Sequence, residues 1–290
     1  MIDPSALSQR AQSIIVAKGT SGFSRLVSSY AQTPLKLFVL CPEGPTVKVV
    51  MAQLGGVLSG DHFKTQVEVR QGSQAWLTSQ ATTKVYRMPN GSSSHHMEVA
   101  VGQNATLIYR PEPLVLFAQA QYHQAIHLTV ESTSRVIWQD ITGAGRLAYG
   151  EKFLFTELDA SLQIDRADLL GPILWERHWL RPQISPPNRE GLWGSWNYYG
   201  SLVIVDPAPP HPAPSWAEEA WHLLLERDSE SDVFDMPKNQ YLDGEQAVYG
   251  GISRMRQGWV VRVLSRRVDV LQGIFDKVAE LIQTEWLRMP

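Results

Sequence analysis

Residues 63–139, FKTQVEVRQGSQAWLTSQATTKVYRMPNGSSSHHMEVAVGQNATLIYRPEPLVLFAQAQYHQAIHLTVESTSRVIWQ, decide the fold class. Eight short runs within them (FKTQVEV, AWLTS, TKVYR, MEVAV, ATLIY, LVLFA, AIHLTV and RVIWQ) alternate apolar with polar side chains. Successive side chains of a strand point to opposite faces, so a period of two builds half-buried strands. Gly, Asn, Ser and Pro punctuate the runs roughly every ten residues. No helical period intervenes, which argues against a doubly wound α/β fold.

Upstream, LKLFVL (Leu35 to Leu40) and VKVVM (Val47 to Met51) read as paired strands joined by the turn CPEGP, after a polar lead. Downstream, KFLFTELDASLQI (Lys152 to Ile164) is the longest alternating run and predicts one or two long strands. The texture changes from Pro182 to Pro214, where two Trp residues and YYGSLVIV lead into PAPPHPAP, residues 207–214. Its prolines exclude a helix or central strand and predict an extended connector. Ser215-Trp216-Ala217-Glu218 fits a capping box opening a helix over 215–227. An acidic stretch to Asp235 reads as a solvated loop, and WVVRVLS (Trp259 to Ser265) as a strand. Leu271, Ile274, Phe275, Val278, Leu281, Ile282 and Trp286 recur at three and four residues, predicting an amphipathic helix over 268–288. The expected architecture is mainly β, with stacked antiparallel or mixed sheets, β-helix-like or sandwich-like, and about two helices near the C-terminus, forming one domain over 1–290. No fixed-period repeat is strong enough to name a regular solenoid.

Hydrophobic residues make up 43% of the chain and charged residues 19%, a globular balance that excludes disordered and collagen-like classes. Residues 1–150 carry 12 Lys and Arg against 8 Asp and Glu, and residues 151–290 carry 14 against 21, an asymmetry able to steer a partner to one end. Cys41 is the only cysteine, which rules out an internal disulfide and a Cys-rich zinc site. MIDPSALSQR has no basic segment leading into an apolar one, and no long uncharged apolar run occurs. A cytoplasmic protein that binds neither membrane nor nucleic acid is expected.

Motifs for bond-making chemistry are sparse. GAGRLA (Gly143 to Ala148) matches a dinucleotide fingerprint on paper, but KFLFTEL follows where a helix would have to begin, so it reads as a turn. There is no phosphate loop, so no bound nucleotide is expected, and no nucleophile elbow, H-E-x-x-H or C-x-x-C. His123 and His127 lie four apart in a strand-like run, roughly 13 Å along a strand and too far for one ion to bridge, and read as cross-strand neighbours that pack or hydrogen-bond. His95-His96-Met97, after GSSS, reads as a solvated loop that is the only local cluster of metal-capable side chains. Asp61-His62 follows the glycine-rich turn LGGVLSG, where the aspartate is either presented or bonded to its own turn. Asp140, Glu151 and Glu176 each lie beside strands or turns, where single acids are usually structural or solvated.

TSQATTKVYRMPNG, from Thr78, resembles the T-x-Q-A-x-T-K-x-Y-R signature of the UreD (UreH) urease accessory proteins through Thr78, Gln80, Thr83, Lys84, Tyr86 and Arg87. LGGVLSGD (Leu54 to Asp61) is similar to the family's G-G-x-x-x-G-D turn, with Ser59 where glycine is usual. YRPEPLVLFAQAQYHQ (Tyr109 to Gln124) resembles its P-x-P-x-x-x-F-x-x-A-x-Y segment, and DITGAGRLAYGEKF (Asp140 to Phe153), with Arg146, its G-R-x-x-x-G-E element. WERHWLRP and the arginine of WVVRVLS fall where the pattern continues, whereas Pro182 to Gly250 match less well. The resemblance implies a non-catalytic maturation factor that binds urease apoprotein and UreF. With the GTPase UreG, reached through UreF, it would deliver nickel along an internal polar route, holding the ion only in transit. Asp61, Asp140, Glu151 and Glu176, with His62, are expected to line or support that route. Two other classes remain: a generic β-rich protein-binding module, and a hydrolase using Asp61 and His62 with a remote acid.

Overall fold

The computed structural model describes residues 9–40, 44–207, 215–225 and 248–288. Where apolar and polar residues alternate, strands form: β1 (Gln9–Lys18), β2 (Ser24–Ala31), β3 (Leu35–Leu40), β4 (Val47–Gln53), β5 (His62–Val69) and β6 (Gln74–Ser79) open the chain. The middle holds β7 (Thr83–Val85), β8 (Ser93–Val101), β9 (Thr106–Tyr109), β10 (Leu114–Leu116), β11 (Gln121–Val130) and β12 (Arg135–Gly143). After them come β13 (Glu157–Arg166), β14 (Leu174–Leu180), β15 (Tyr198–Val205), helix α1 (Ser215–Leu225), β16 (Val248–Met255), β17 (Gly258–Ser265) and helix α2 (Val268–Arg288).

The strands form two sheets, one ordered β14-β13-β11-β8-β5-β1-β2 and the other β16-β17-β15-β12-β9-β6-β4-β3, with β7 and β10 beside the second. The centres of both are parallel: β1, β5, β8, β11 and β13 in the first, β4, β6, β9 and β12 in the second. Parallel neighbours need a crossover, and here the crossover is a strand of the other sheet, so the chain coils like a β-solenoid. Antiparallel strands close the coil at both ends. Register stacks like on like. Ile14, Val67, Val99, Leu128 and Ile164 form one buried aliphatic row, and Val49, Leu77, Tyr109, Trp138 and Val203 face it from the second sheet. Tyr109 and Trp138 stack with ring centroids 4.0 Å apart.

The outer face of the second sheet is covered by the helices, where Leu271, Ile274, Phe275, Val278 and Ile282 of α2 bury against Ile137, Leu202, Ile204 and Val261. Gly200 makes room: a Cβ there would lie 2.7 Å from Leu271 and Phe275. Ser215 is the first residue of α1, and its hydroxyl donates to Glu285 Oε2 of α2 at 3.0 Å rather than back into its own first turn. No helix among the described residues is long and apolar enough to cross a membrane.

Several expectations are corrected. His95, His96 and Met97 belong to β8, not to a loop, because the strand begins at Ser93 within GSSS. The run from Lys152 becomes a strand only at Glu157; Phe153 has a positive φ of 55° and bends the segment before it. The polar lead contains β1 and β2, and LWERHWL and VYGGISRM are strands. GAGRLA is a turn, as expected, with a single 3-10 turn at Leu147–Tyr149. Cys41, the connector beyond Pro207, the end of the first helix beyond Leu225 and the acidic stretch lie outside the described residues.

Candidate functional site

Toward one end of the strands, along the length of the coil, the apolar rows give way to polar ones. A cavity of about 290 Å³ opens between the sheets there. On the first sheet, His95, Gln124, Ala160 and His178 lie in register across β8, β11, β13 and β14. Opposite them, Asp140, Ser201 and Arg262 are in register across β12, β15 and β17. The signature stretch forms a wall, since Ser79 to Lys84 and Tyr86 line the same space.

Asp140 and Trp138 share a strand face two residues apart, and the Trp138 indole N–H donates to Asp140 Oδ2 at 2.8 Å. Burial pushes the Asp140 carboxyl up to about 7; the indole opposes this and the nearby Glu176 charge adds to it. Burial and then the Asp140 charge push the phenols of Tyr109 and Tyr122 upward as well. Asp140 is therefore a cavity carboxyl that ionises near neutrality.

Glu176 reaches the cavity because LWERHWL alternates: Glu176 and His178 face inward, while Trp175, Arg177 and Trp179 are exposed. The Arg262 guanidinium donates to Glu176 Oε1 through Nε at 2.8 Å and through Nη2, and the Ser201 hydroxyl donates to Oε2 at 3.3 Å. Beside them His178 packs on Tyr199 with centroids 4.6 Å apart. Burial lowers the His178 imidazole pKa, the Glu176 charge partly offsetting it, and burial raises Tyr199 to about 12.

At the other side of the cavity Gln12 Nε2 donates to Thr65 Oγ1 at 2.9 Å, and Thr65 Oγ1 meets His95 Nε2 at 2.8 Å. The Met51 sulfur lies 3.9 Å from the same amide nitrogen. Burial, with His96 nearby, lowers the His95 imidazole to about 4, so it is neutral at physiological pH.

Of the five acids and imidazoles singled out in the sequence, the fold brings Asp140 and Glu176 together on this cavity and leaves Asp61, His62 and Glu151 outside its lining. Asp61 Oδ2 accepts the Leu58 N–H at 2.8 Å, so this carboxylate holds its own turn. His62 Nδ1 meets Ser94 Oγ at 2.7 Å. Asp61 and His62 thus engage different partners rather than each other. Glu151 is gripped by Arg146 through two bonds and accepts the Ala118 N–H at 3.0 Å, and the Arg146 bond holds its carboxyl below the usual range. Arg146 in turn stacks on Phe117 and Tyr149. Among the other signature residues, Thr78 Oγ1 donates to Arg110 O at 2.8 Å and Arg87 Nε to Gln119 Oε1 at 2.6 Å. His127 lies away from the cavity between Glu98 and Asp165. No group of three or more His, Cys, Asp or Glu among the described residues could hold a metal ion.

His95, His178, Ser201 and Gln12 were not singled out as cavity residues. The alternation of LWERHWL, read as a strand, would have placed His178 beside Glu176. Gln12 and Ser201 carry no sequence signal, because only strand register brings them inward.

The family model described as UreD urease accessory protein matches residues 9–290. "Urease accessory protein UreD" of Acetivibrio thermocellus is 30% identical over 272 residues, covering 92% of this chain and 95% of its own. The protein of that name from Corynebacterium glutamicum (strain R) is 25% identical, covering 93% and 90%. "Urease accessory protein UreH" of Helicobacter pylori is 26% identical, covering 65% and 71%. With the family model spanning nearly all of it, the chain belongs to the UreD family of urease accessory proteins.

Proposed function

We propose that this chain serves urease maturation as a conduit rather than a catalyst, passing nickel through the cavity between its two sheets. UreF, with the GTPase UreG behind it, would supply the ion, and urease apoprotein would receive it. The observation that carries this reading is the convergence of Asp140 and Glu176, from different sheets, on one cavity between the sheets.

A transit site must release its ion, which favours few, dispersed donors over a closed cage. Asp140 can exchange a proton for a cation near neutral pH. Glu176 is occupied by Arg262, so a cation reaching it must displace the guanidinium, and the ion pair reforms once the cation leaves. Such competition keeps occupancy low between transfers.

The test is co-expression of urease with its accessory proteins and an Asp140→Asn or Glu176→Gln chain. Both variants are expected to co-purify with UreF and urease while the nickel content of urease falls by about tenfold. Full nickel loading with both variants would contradict the reading.

A further inference from the structure

We propose that the open end of the coil, formed by β2 and β3, docks an extended segment of a protein partner in which acidic and apolar side chains alternate. The inference stands apart from the passage of nickel, since β2 is the strand of the first sheet farthest from β14, which carries Glu176.

The interior does not stop at β4. Val39 of β3 pairs with Val49 in register, so it continues the row of Val49, Leu77, Tyr109, Trp138 and Val203. Those five side chains are buried, yet Val39 is 49% exposed, and the facing row ends on Ser29, the partner of Ile14. The core therefore runs out to solvent at this end. Phe23 just before β2, Val27 and Tyr30 on β2, and Phe38 and Leu40 on β3 are exposed as well, and β2 lies against β3. Stacked repeats ordinarily end in a unit with a polar outer face, and an exposed apolar patch on a folded chain marks an interaction site.

Charge and backbone identify the occupant. Residues 9–53, which hold β1 to β4, carry Arg10, Lys18, Arg25, Lys36 and Lys48 against a single acid, Glu43. Arg25 and Lys36 are exposed on β2 and β3 themselves. Such a surface attracts an acidic segment, whereas two copies meeting symmetrically through this end would set like charges against each other. Strands β2 and β3 are the last of their sheets, with no further strand paired to their outer edges among the described residues. A free edge offers N–H and C=O groups that an extended peptide can pair and a lipid cannot. Lys36 and Val39 point to opposite faces of β3, so alternation in the partner sets apolar side chains over Val39 and acids beside Lys36.

The test places the photo-cross-linker p-benzoylphenylalanine at Tyr30 of the full-length chain, in cells that also produce urease and its other accessory proteins. Mass spectrometry maps the cross-linked peptides, and circular dichroism checks the fold of each variant. A segment of another protein in which acidic and apolar residues alternate is expected at Tyr30, and not from the same cross-linker at Tyr249, exposed on β16 at the far edge of the second sheet. Arg25→Glu with Lys36→Glu should cut the cross-linked fraction about tenfold, Val39→Asp should lower it too, and added salt should weaken it. Cross-links only to a second copy or to lipid, a captured segment without acids, or equal capture from Tyr249 would overturn the inference. So would a yield indifferent to the charge reversals in a folded chain, or no cross-link at all, and each of these would leave the nickel passage standing.

Discussion

At the residue scale, Asp140 joins electrostatics to stability. Its carboxyl is raised from 3.8 to about 7 in the folded chain. Between those values the folded chain keeps a proton that the unfolded chain has released, so stability falls as pH rises through that window, and the penalty is complete above about 7. The slope approaches about 1.4 kcal/mol per pH unit. Asp140→Asn should remove that slope, as read from denaturant melts between pH 5 and 8; parallel curves for the two proteins would contradict it. Arg262→Gln should free Glu176, tightening nickel binding several-fold in equilibrium dialysis while lowering stability by leaving a carboxylate with less compensation. Weaker binding in a folded variant would show that the guanidinium builds the site instead of guarding it. Legibility varied for physical reasons at this scale. Asp140 and Glu176 sit within strands, where alternation settles which face a side chain takes. Asp61 and Glu151 sit in turns, where an acid presented to a cavity and one already bonded to a backbone N–H look alike in sequence.

At the element scale, helix α2 was legible because its apolar residues recur at three and four, and strands β5 to β12 because theirs recur at two. What escaped had no such contrast. Strand β2 buries Ser24, half-buries Leu26 and exposes Val27 and Tyr30, and β16 carries Gly250 and Gly251 in its middle. Strand β14 exposes Trp175 and Trp179 with Arg177 and turns Glu176 and His178 inward beside Leu174 and Leu180, so its two faces lack the usual contrast. The coil itself was hidden because its rungs are of unequal length: Val67, Val99, Leu128 and Ile164 stack in register at irregular steps along the chain. The seam between β15 and α2 gives a direct test. Gly200→Ala would drive a methyl to 2.7 Å from Leu271 and Phe275 and should cost about 1–3 kcal/mol. Phe275→Ala, at a fully buried side chain, should cost about 3–5 kcal/mol. Denaturant midpoints measure both, and an unchanged midpoint for Gly200→Ala would mean that helix and sheet are not tightly packed there.

At the scale of the whole molecule, the coiled sheets bury apolar rows along most of the length of their strands and reserve one end of the strands for polar ones. Family membership places the chain in urease maturation; the cavity says how it could contribute. Substitution of single donors tests the ligands, but filling the space tests the passage. Ala160 lies on the cavity floor, in register with Gln124 and His178, and has no polar role of its own. The most direct measurement is therefore the nickel content of urease matured with an Ala160→Leu chain. The account predicts a folded chain that still co-purifies with UreF and urease, while the nickel content of that urease falls sharply. Normal nickel loading by a folded, partner-bound Ala160→Leu chain, with its cavity shown to be filled, would contradict passage through this space.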